Sequence, residues 1–293
     1  MENPSSVTDS GAGGVFLKHL NAVPNFPDPK LMNVLKTMAA SKPSPQKVGV
    51  GAQLLGSYGG AKSVPLPIPQ YAPPLSFPAD HGEHFDTQLE WRYIALSLPL
   101  SNGGLFSLVA TFFRNSIADA GDVPDLAPID RQIYSTSVGV TIEMPGVPGV
   151  HYYLPTTAFA PIDGTVTVTN EPFQMVLGKN SIVGTSDVFP IHVHIEDEGG
   201  GGRPAIVVDV DCAATNPLFL QGVDGYVGSP IAPHQTQPPV GYYYYSWPQQ
   251  KTDGTVTIDG TSYGVSDGIA WFDHQWGGSP VAQSGPAYTW SGW

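Results

Sequence analysis

The residues best suited to chemistry lie near the C-terminus, where positions 268 to 278 read GIAWFDHQWGG. This stretch places a carboxyl group, Asp273, and an imidazole, His274, between the rings of Trp271 and Trp276. A carboxyl group among aromatic rings is poorly solvated, which disfavours its charged form and raises its pKa. Such an acid can stay protonated near neutral pH and donate a proton or a strong hydrogen bond. Asp273 is therefore a candidate general acid. The alternative is that it accepts backbone or indole hydrogen bonds and locks a strand end.

The strand pattern of this stretch leaves open which side is functional. Successive side chains of a β-strand point to opposite faces of the sheet. Asp273 then shares a face with Trp271, whereas His274 shares the other face with Trp276. Because each face carries a ring and a titratable group, either face can be the one that points into an interior.

A second concentration of polar residues is the segment FPADHGEHFDTQLEWRY at 77 to 93, which leads into an aromatic strand. His81 and His84 could bind a metal ion together with Asp80 or Glu90. Zinc sites need three or four ligands in a defined geometry, and this spacing matches no standard signature. The segment is therefore read as a polar cluster without a metal ion.

A third polar set consists of His192, His194 and Glu196, which share one face of a predicted strand. Two histidines and a carboxylate are a known metal-binding combination. The opposite face of this strand is apolar, which favours a solvated polar face instead. We therefore predict neither a metal site nor a cofactor.

The rest of the sequence offers a cavity wall rather than further catalytic groups. The Gly-x-Ser-x-Gly pattern of a serine hydrolase occurs twice, as GTSYG at 260–264 and GVSDG at 264–268, but within a strand signal rather than at the strand-to-helix turn that the motif requires. Cys212 alternates with valines in AIVVDVDC, which predicts an inert core thiol. The tyrosine run at 242 to 245, followed by Trp247, can line an apolar cavity.

The elements that must position these residues read as antiparallel strands from Glu90 onward. Residues 90 to 100 and 105 to 115 are strand signals joined by Ser-Asn-Gly-Gly, which predicts a hairpin. Many short strands with turns favour a β-barrel or sandwich, and a barrel of about eight strands can hold one small ligand. In the first strand Glu90 and Arg92 share the face of apolar residues, so they lie at its end or within the interior.

The N-terminal quarter of the chain has a different character. Residues 1–75 are predicted to form a flexible tail, short helices at 16–20 and 29–40, and a Pro-rich segment that wraps the body. Residues 76–293 are predicted to form the β-domain. We therefore expect an all-β protein with an extended and helical N-terminal segment.

Composition and net charge limit the kinds of molecule that the protein is expected to bind. The net charge is −13 and only 13% of the 293 residues are charged, while Gly (34) and Pro (30) are abundant. This balance argues against nucleic acid or an anionic membrane surface and is compatible with an apolar small molecule. No stretch approaches the ~18 apolar residues of a membrane span. A single cysteine and an N-terminus without a signal peptide lead us to expect a cytoplasmic protein.

Several segments together resemble the lipocalin-like AttH and hydroxyneurosporene synthase family, over residues 75 to 293. That family includes carotenoid 1,2-hydratases, kievitone hydratases and lipocalin-like Diels–Alderases. The matching motifs, in order, are DHGEHFDTQLEWRY (80–93), NPLFLQG (216–222), YYYSWP (243–248), GTVTIDG (254–260) and GIAWFDHQWG (268–277).

The resemblance implies two lipocalin-like β-barrels in tandem, with a ligand pocket between or within them. This chain stops at AYTWSGW, so we expect a first barrel, acting either as a homo-oligomer or with a second barrel that is missing here. Two departures from the family pattern are Arg92, where a ring is usual, and His274, where the family more often has arginine.

The resemblance also implies a reaction. In carotenoid hydratases the acid proposed to protonate the alkene lies in the motif that corresponds to 271–274, so Asp273 takes that role here. The predicted function is addition of water to, or its removal from, a carbon–carbon double bond of an isoprenoid-like substrate, with Asp273, His274 and Glu90 as catalytic residues. The predicted substrate-binding residues are Trp91, Tyr93, Trp271, Trp276, Tyr243, Tyr245 and His84. The alternatives are a pericyclase that shapes a polyene and a non-catalytic binder of apolar molecules.

Overall fold

The computed structural model describes residues 75–87, 89–116, 127–154, 157–159, 161, 164–228 and 241–277. Fourteen β-strands account for most of these residues, and short 3-10 turns at Ala79–His81 and Ile129–Arg131 precede two of the strands. The strands are β1 (Leu89–Pro99), β2 (Leu105–Ser116), β3 (Gln132–Met144), β4 (Val147–Tyr153), β5 (Thr157–Phe159), β6 (Val166–Asn170), β7 (Phe173–Leu177), β8 (Asn180–Thr185), β9 (Val188–Asp197), β10 (Ile206–Ala213), β11 (Phe219–Leu220), β12 (Tyr226–Gly228), β13 (Gly241–Ile258) and β14 (Thr261–Gly277).

One antiparallel sheet contains all the strands. Its hydrogen-bonded order is β4-β3-β2-β1-β14-β13-β10-β9-β8-β7-β6, with β5 on β3 and with β11 and β12 on β13. The sheet curls into a half-barrel, which confirms the predicted all-β, lipocalin-like fold class. The two halves of the curl approach each other where Asn180 Nδ2 donates to Thr136 Oγ1 at 3.4 Å.

Alternation of side chains explains the strands and their two faces. In β10 the apolar residues Ile206, Val208 and Val210 are buried, whereas the intervening side chains are more exposed. We call the concave side, which carries Ile94 and Phe272, the inner face and the opposite side the outer face. The buried apolar side chains on the inner face form the core. The outer face can remain in contact with water, as is common in antiparallel sheets.

The longest hairpin joins β13 and β14 through a two-residue Asp-Gly turn. Asp259 and Gly260 have φ values of 46° and 77°, as the type I′ turn requires at both central positions. The turn sets the register that pairs Ser246 with Asp273 and Tyr245 with His274. It therefore fixes which residues of the two strands can meet on each face.

The predicted N-terminal helices at 16–20 and 29–40, and almost all of the segment 1–75, lie outside the described residues. Among the residues that are described, no helix has the length and apolarity needed to cross a membrane.

Candidate functional site

Glu90 occupies the centre of a buried polar cluster on the inner face. It follows Leu89 at the start of β1, and its side chain is fully buried. Five donor atoms of the described residues reach its two oxygens. Oε1 lies 2.7 Å from His274 Nε2, 3.0 Å from His84 Nδ1 and 3.3 Å from Arg92 Nη2. Oε2 accepts from the backbone N–H of His84 and from Arg114 Nε, both at 2.9 Å.

Two buried arginines keep Glu90 ionised. Burial by itself would raise the pKa of the Glu90 carboxyl, but Arg92, His84 and Arg114 outweigh it and hold that pKa well below its usual range. Both guanidinium groups are fully buried. Arg92 also donates to Glu83 Oε1 at 2.5 Å, so the cluster contains two carboxylates for two guanidinium groups.

His84 connects this cluster to the aromatic wall. Its ring stacks on Trp276 with 3.8 Å between centroids and 4° between planes. Burial lowers the pKa of the His84 imidazole, but Glu90 and Asp80 on either side raise it more, and the net shift is upward. A charged imidazole between two carboxylates and against an indole face is stabilised by all three neighbours.

His274 begins a chain of hydrogen bonds that leads away from Glu90. Its Nε2 faces Glu90, and its Nδ1 lies 2.8 Å from the hydroxyl oxygen of Tyr245. The same hydroxyl lies 2.8 Å from Nδ1 of His81. Burial and the nearby Arg92 lower the pKa of His274 well below its usual value, so this imidazole is neutral.

The ligand atoms of His84, Glu90 and His274 lie within 4.8 Å of one another, an arrangement compatible with a metal ion. The sequence suggested His84 and Glu90 as possible metal ligands, with His81 or Asp80, but did not bring His274 to them. Arg92 and Arg114 both bond to the same carboxylate, so a divalent cation there would lie beside two buried positive charges. The observed distances are those of hydrogen bonds, which we take as the function of these three side chains.

Asp273 lies on the outer face, on the opposite side of β14 from His274. Its Oδ1 accepts from Ser246 Oγ and from Trp271 Nε1, each at 2.6 Å, and Tyr244 supplies a further side-chain hydrogen bond. The residue is 3% exposed. Burial raises the pKa of its carboxyl, and the hydrogen bonds from Ser246, Trp271 and Tyr244 only partly offset that rise.

Partly exposed aromatic side chains surround Asp273 on this outer face. Tyr93 is its cross-strand neighbour on β1, and Trp91, two residues earlier, lies 6.3 Å from Phe113 between ring centroids. We call Trp91, Tyr93, Phe113, Tyr244 and Trp271 the outer aromatic patch. Burial, and to a lesser extent the charge of the cross-strand neighbour Asp273, raise the pKa of Tyr93.

Gln275 shares the outer face with Asp273, two residues along β14. Its side chain is buried, and its Oε1 has no hydrogen-bond partner among the described residues. A buried acceptor without a partner is costly, so it marks a place that is suited to a donor from outside the protein.

The predicted site residues therefore fall into two groups. Asp273, Trp271, Trp91 and Tyr93 lie on the outer face, where they adjoin one another in the strand register. The inner face carries the other predicted residues: Glu90, His84, His274, Trp276, Tyr243 and Tyr245. Asp273 and His274 are adjacent in sequence, yet they do not face the same side of the sheet. The catalytic and binding roles of all these residues stay predictions.

Sequence reasoning missed several participants. Arg114, Ser246 and Gln275 contact or adjoin predicted site residues only because the register places them there. His81 was considered only as a metal ligand, yet it terminates the inner chain of hydrogen bonds. A signal that could have revealed Arg114 is its position on the inner face of a strand that is otherwise apolar on that side.

Comparison with known proteins adds a family to this geometry. A family model described as AttH-like matches residues 69–293. The chain belongs to the AttH-like family. No protein of curated function matches the sequence closely enough to count as a relative.

Solved structures resemble this AttH-like chain in fold. A crystal structure from Nitrosomonas europaea assigned to AttH has a TM-score of 0.54 and 23% identity, and the match covers 73% of this chain and 59% of that one. Kievitone hydratase from Nectria haematococca has a TM-score of 0.45 and 13% identity, with 75% and 56% coverage. CghA with Sch210972 has a TM-score of 0.37 and 11% identity, with 73% and 53% coverage. The match thus spans between half and three fifths of these longer chains, and it bears on the fold rather than on activity.

Proposed function

We propose that this AttH-like chain carries the acid of a hydratase/dehydratase-type lyase, with Asp273 as the proton donor. The substrate is an apolar, isoprenoid-like molecule, and the reaction adds water to a carbon–carbon double bond or removes it. The supporting observation is the buried Asp273 carboxyl beneath partly exposed rings, with a pKa raised by that burial. A carboxyl group with a raised pKa is suited to protonating a weak base such as an alkene.

Asp273 donates one proton and takes one back in each cycle of the proposed reaction. The protonated carboxyl gives its proton to one alkene carbon, and the π electrons form that new C–H bond. The adjacent carbon becomes a carbocation, which a water molecule attacks through its oxygen. The oxonium that results returns one proton to the Asp273 carboxylate, so the acid is restored and one water molecule has been added.

The outer aromatic patch suits the cationic stage of this reaction. Ring faces attract a positive charge, and a desolvated pair gains about 2 kcal/mol. Trp271 is held in place because its indole N–H donates to Asp273, so its ring lies beside the carboxyl. The same patch is apolar enough to receive the hydrocarbon part of the substrate.

We assign to Gln275 the role of binding the water molecule that attacks the carbocation. It lies on the same face as Asp273, and its Oε1 lacks a partner among the described residues. Glu90 and His274 were also predicted to be catalytic, but to position the water they would have to reach the face that carries Asp273. Their side chains instead bond to each other on the inner face at 2.7 Å.

The test is deuterium incorporation from D₂O into a panel of terpenoid alkenes and their alcohols. Hydration through Asp273 adds one deuterium at the protonated carbon, which mass spectrometry detects. Asp273→Asn is expected to reduce this incorporation by about 10²- to 10⁴-fold, the usual contribution of a general acid. Gln275→Leu is expected to slow formation of the alcohol while Asp273 still protonates the alkene.

Asp211→Asn is the matched control, because Asp211 is an exposed carboxylate on β10 whose side chain is 78% accessible. It should leave incorporation unchanged. Undiminished incorporation in Asp273→Asn would refute the acid role. Product formation without any deuterium would instead identify a pericyclase, and saturable binding without product would identify a binder.

A further inference from the structure

The state of protonation along the inner chain follows from Glu90. An ionised carboxylate only accepts hydrogen bonds, so Nε2 of His274 must carry the proton that it shares with Glu90 Oε1. His274 is neutral and has one ring proton, which leaves its Nδ1 as an acceptor. The partner of that nitrogen is the Tyr245 hydroxyl, which must therefore donate to it.

The same reasoning continues to His81. The Tyr245 hydroxyl has one proton, which it gives to His274, so its oxygen accepts from Nδ1–H of His81. Burial and the charge of Arg92 lower the pKa of His81 to about 4, so this ring is also neutral near neutral pH. Nε2 of His81 is consequently an acceptor without a proton. The tautomer of His81 is thus set by Glu90, which does not contact His81 but acts through His274 and Tyr245.

The surroundings of His81 are aromatic. Its ring lies between Phe77, at 4.5 Å and 28°, and Trp247, at 5.5 Å and 29°, both stacked. Phe189 meets Trp247 edge-on at 4.6 Å between centroids. His81 is 3% exposed, and the hydrogen bond that its ring makes to Tyr245 uses Nδ1, not Nε2. An acceptor that is fixed in one tautomer and flanked by rings is suited to be the polar anchor of an apolar binding site.

We propose that His81 Nε2 anchors the hydroxyl group of a planar apolar ligand, in a binding site on the inner face that is distinct from Asp273. The ligand's O–H donates to Nε2, and its apolar body packs among Phe77, Trp247 and Phe189. Phe77 is 38% exposed and forms the outer side of the stack, so it is the ring that the ligand displaces. This site does not depend on the role of Asp273, which lies on the other face of the sheet.

The charge pattern favours a neutral hydroxyl over other polar groups. A ketone or an ether has no proton to give and would face a bare acceptor, which leaves Nε2 unpaired. A ligand carboxylate would also have no proton to donate to Nε2. Its negative charge would in addition lie near that of Asp80, which already acts on His81. A ligand ammonium would have to be buried among the rings, beside a histidine whose pKa Arg92 already lowers.

The experiment compares two probes of nearly equal size, 2-naphthol and 2-methoxynaphthalene, by fluorescence titration of the full chain. The structure predicts that wild type binds 2-naphthol about tenfold more tightly, because one buried hydrogen bond contributes about 1.4 kcal/mol. His81→Phe keeps a ring in the stack but removes the acceptor, so the preference for 2-naphthol is expected to disappear. His151→Phe, at an exposed histidine on β4, should leave the preference intact.

Tyr245→Phe tests the chain that sets the tautomer. This variant removes one hydroxyl and keeps the ring, so Nδ1 of His81 loses its partner and the preference for 2-naphthol should fall. ¹⁵N NMR of histidine-labelled protein should show Nε2 of His81 as an unprotonated nitrogen in wild type and a mixture of tautomers in Tyr245→Phe. A merely structural role for Tyr245 would not move this signal.

Three results would overturn the proposal: equal affinity of wild type for both probes, absence of binding by either probe, or a preference that survives in His81→Phe. A protonated Nε2 in the wild-type NMR spectrum would do the same. If His81→Phe does not fold, Tyr245→Phe and the wild-type spectrum still decide the outcome. Tight Zn²⁺ binding that displaces the probe and is lost in His84→Ala would identify a metal centre in place of the hydroxyl site.

Discussion

At the scale of single residues, the two buried carboxyl groups differ in the groups that donate hydrogen bonds to them. Glu90 and Asp273 are both buried, but their pKa values move in opposite directions. Two guanidinium groups bond to Glu90 or lie against it, whereas Asp273 receives only neutral donors. The Glu90 carboxyl is therefore held as an anion next to the histidines, whereas burial favours the protonated form of the Asp273 carboxyl.

Ser246→Ala should raise the pKa of Asp273 further. The Ser246 hydroxyl donates to Oδ1 at 2.6 Å and favours the charged form, so its loss favours the protonated form. A hydrogen bond that favours the carboxylate lowers the pKa of the group, so removing it moves the pKa upward. An acid is active below its pKa, so activity that falls as pH rises should persist to higher pH in the variant. ¹³C NMR titration of the carboxyl carbon measures the pKa directly.

Ser262→Ala provides the comparison, because Ser262 is exposed near the start of β14 and distant in register from Asp273. It should leave the titration of Asp273 unchanged. A titration that moves to lower pH in Ser246→Ala would show that Ser246 does not stabilise the carboxylate.

At the scale of elements, the β13–β14 hairpin places candidate site residues on both faces of the sheet. Ser246 and Asp273 face outward, and the adjacent pair Tyr245 and His274 faces inward. The Asp-Gly turn at its tip was recognisable from the sequence because only a few residues tolerate positive φ.

Gly260→Ala should destabilise this hairpin by about 1 kcal/mol, because φ at Gly260 is 77° and a side chain is unfavourable there. A Cβ atom at this position would meet nothing within 4 Å, so the cost is conformational rather than steric. Urea unfolding measures the free energy of unfolding of each variant.

Gly264→Ala is the control on the same strand. Its φ is not in the left-handed region, and an added Cβ meets only Ser101 at ordinary contact distance. We expect it to be neutral or slightly stabilising. Equal losses in the two variants would mean that positive φ is not the cause.

The sequence was sufficient for the fold class and for the hairpins, because alternation and turn chemistry are local signals. It also predicted that Glu90 and Arg92 share the face of Ile94. It could not place Asp273 and His274 relative to an interior, since both faces of β14 are aromatic and nearly all of its last residues are buried. Partners such as Arg114, 24 residues from Glu90, and Tyr245, 29 from His274, follow from strand register, which depends on the whole sheet.

At the scale of the whole molecule, the inner cluster links stability to pH. The pKa of Glu90 is lowered, so its contribution is present above the ordinary pKa of glutamate and is lost as pH falls through the folded value. The pKa values of His81 and His274 are also lowered, so the unfolded chain binds protons at these residues before the folded one does. The two histidines therefore destabilise the fold as pH falls from about 6.5, the ordinary pKa of histidine, and Glu90 does so only below about 4.5, the ordinary pKa of glutamate. His84 acts in the opposite sense, because its raised pKa stabilises the fold below the ordinary value and that stability is lost as pH rises through the folded value.

Glu90→Gln should therefore destabilise the protein by about 3–5 kcal/mol near neutral pH, because it leaves buried guanidinium charge without its partner. Urea unfolding at pH 7 and at pH 4 should show that the difference from wild type shrinks in acid, since Glu90 of the unfolded wild-type chain then begins to take up a proton while folded Glu90 stays ionised. Glu198→Gln, at an exposed residue bonded to Lys179, should have no measurable effect at either pH. A constant difference from wild type across this range would show that the charge of Glu90 is not responsible.

The pairing of β1 with β14 has a consequence for the order of events during synthesis. Glu90 and His274 bond across a separation of 184 residues, and the two strands lie side by side in the middle of the sheet. While a ribosome is still translating the intervening residues, β1 can pair only with β2. The chain of hydrogen bonds from Glu90 to His81 then lacks His274, which connects Glu90 to Tyr245. Both candidate sites include residues of β14, Asp273 on the outer face and His274 on the inner face. Neither candidate site can therefore be complete before this strand has been synthesised and has paired with β1 and β13.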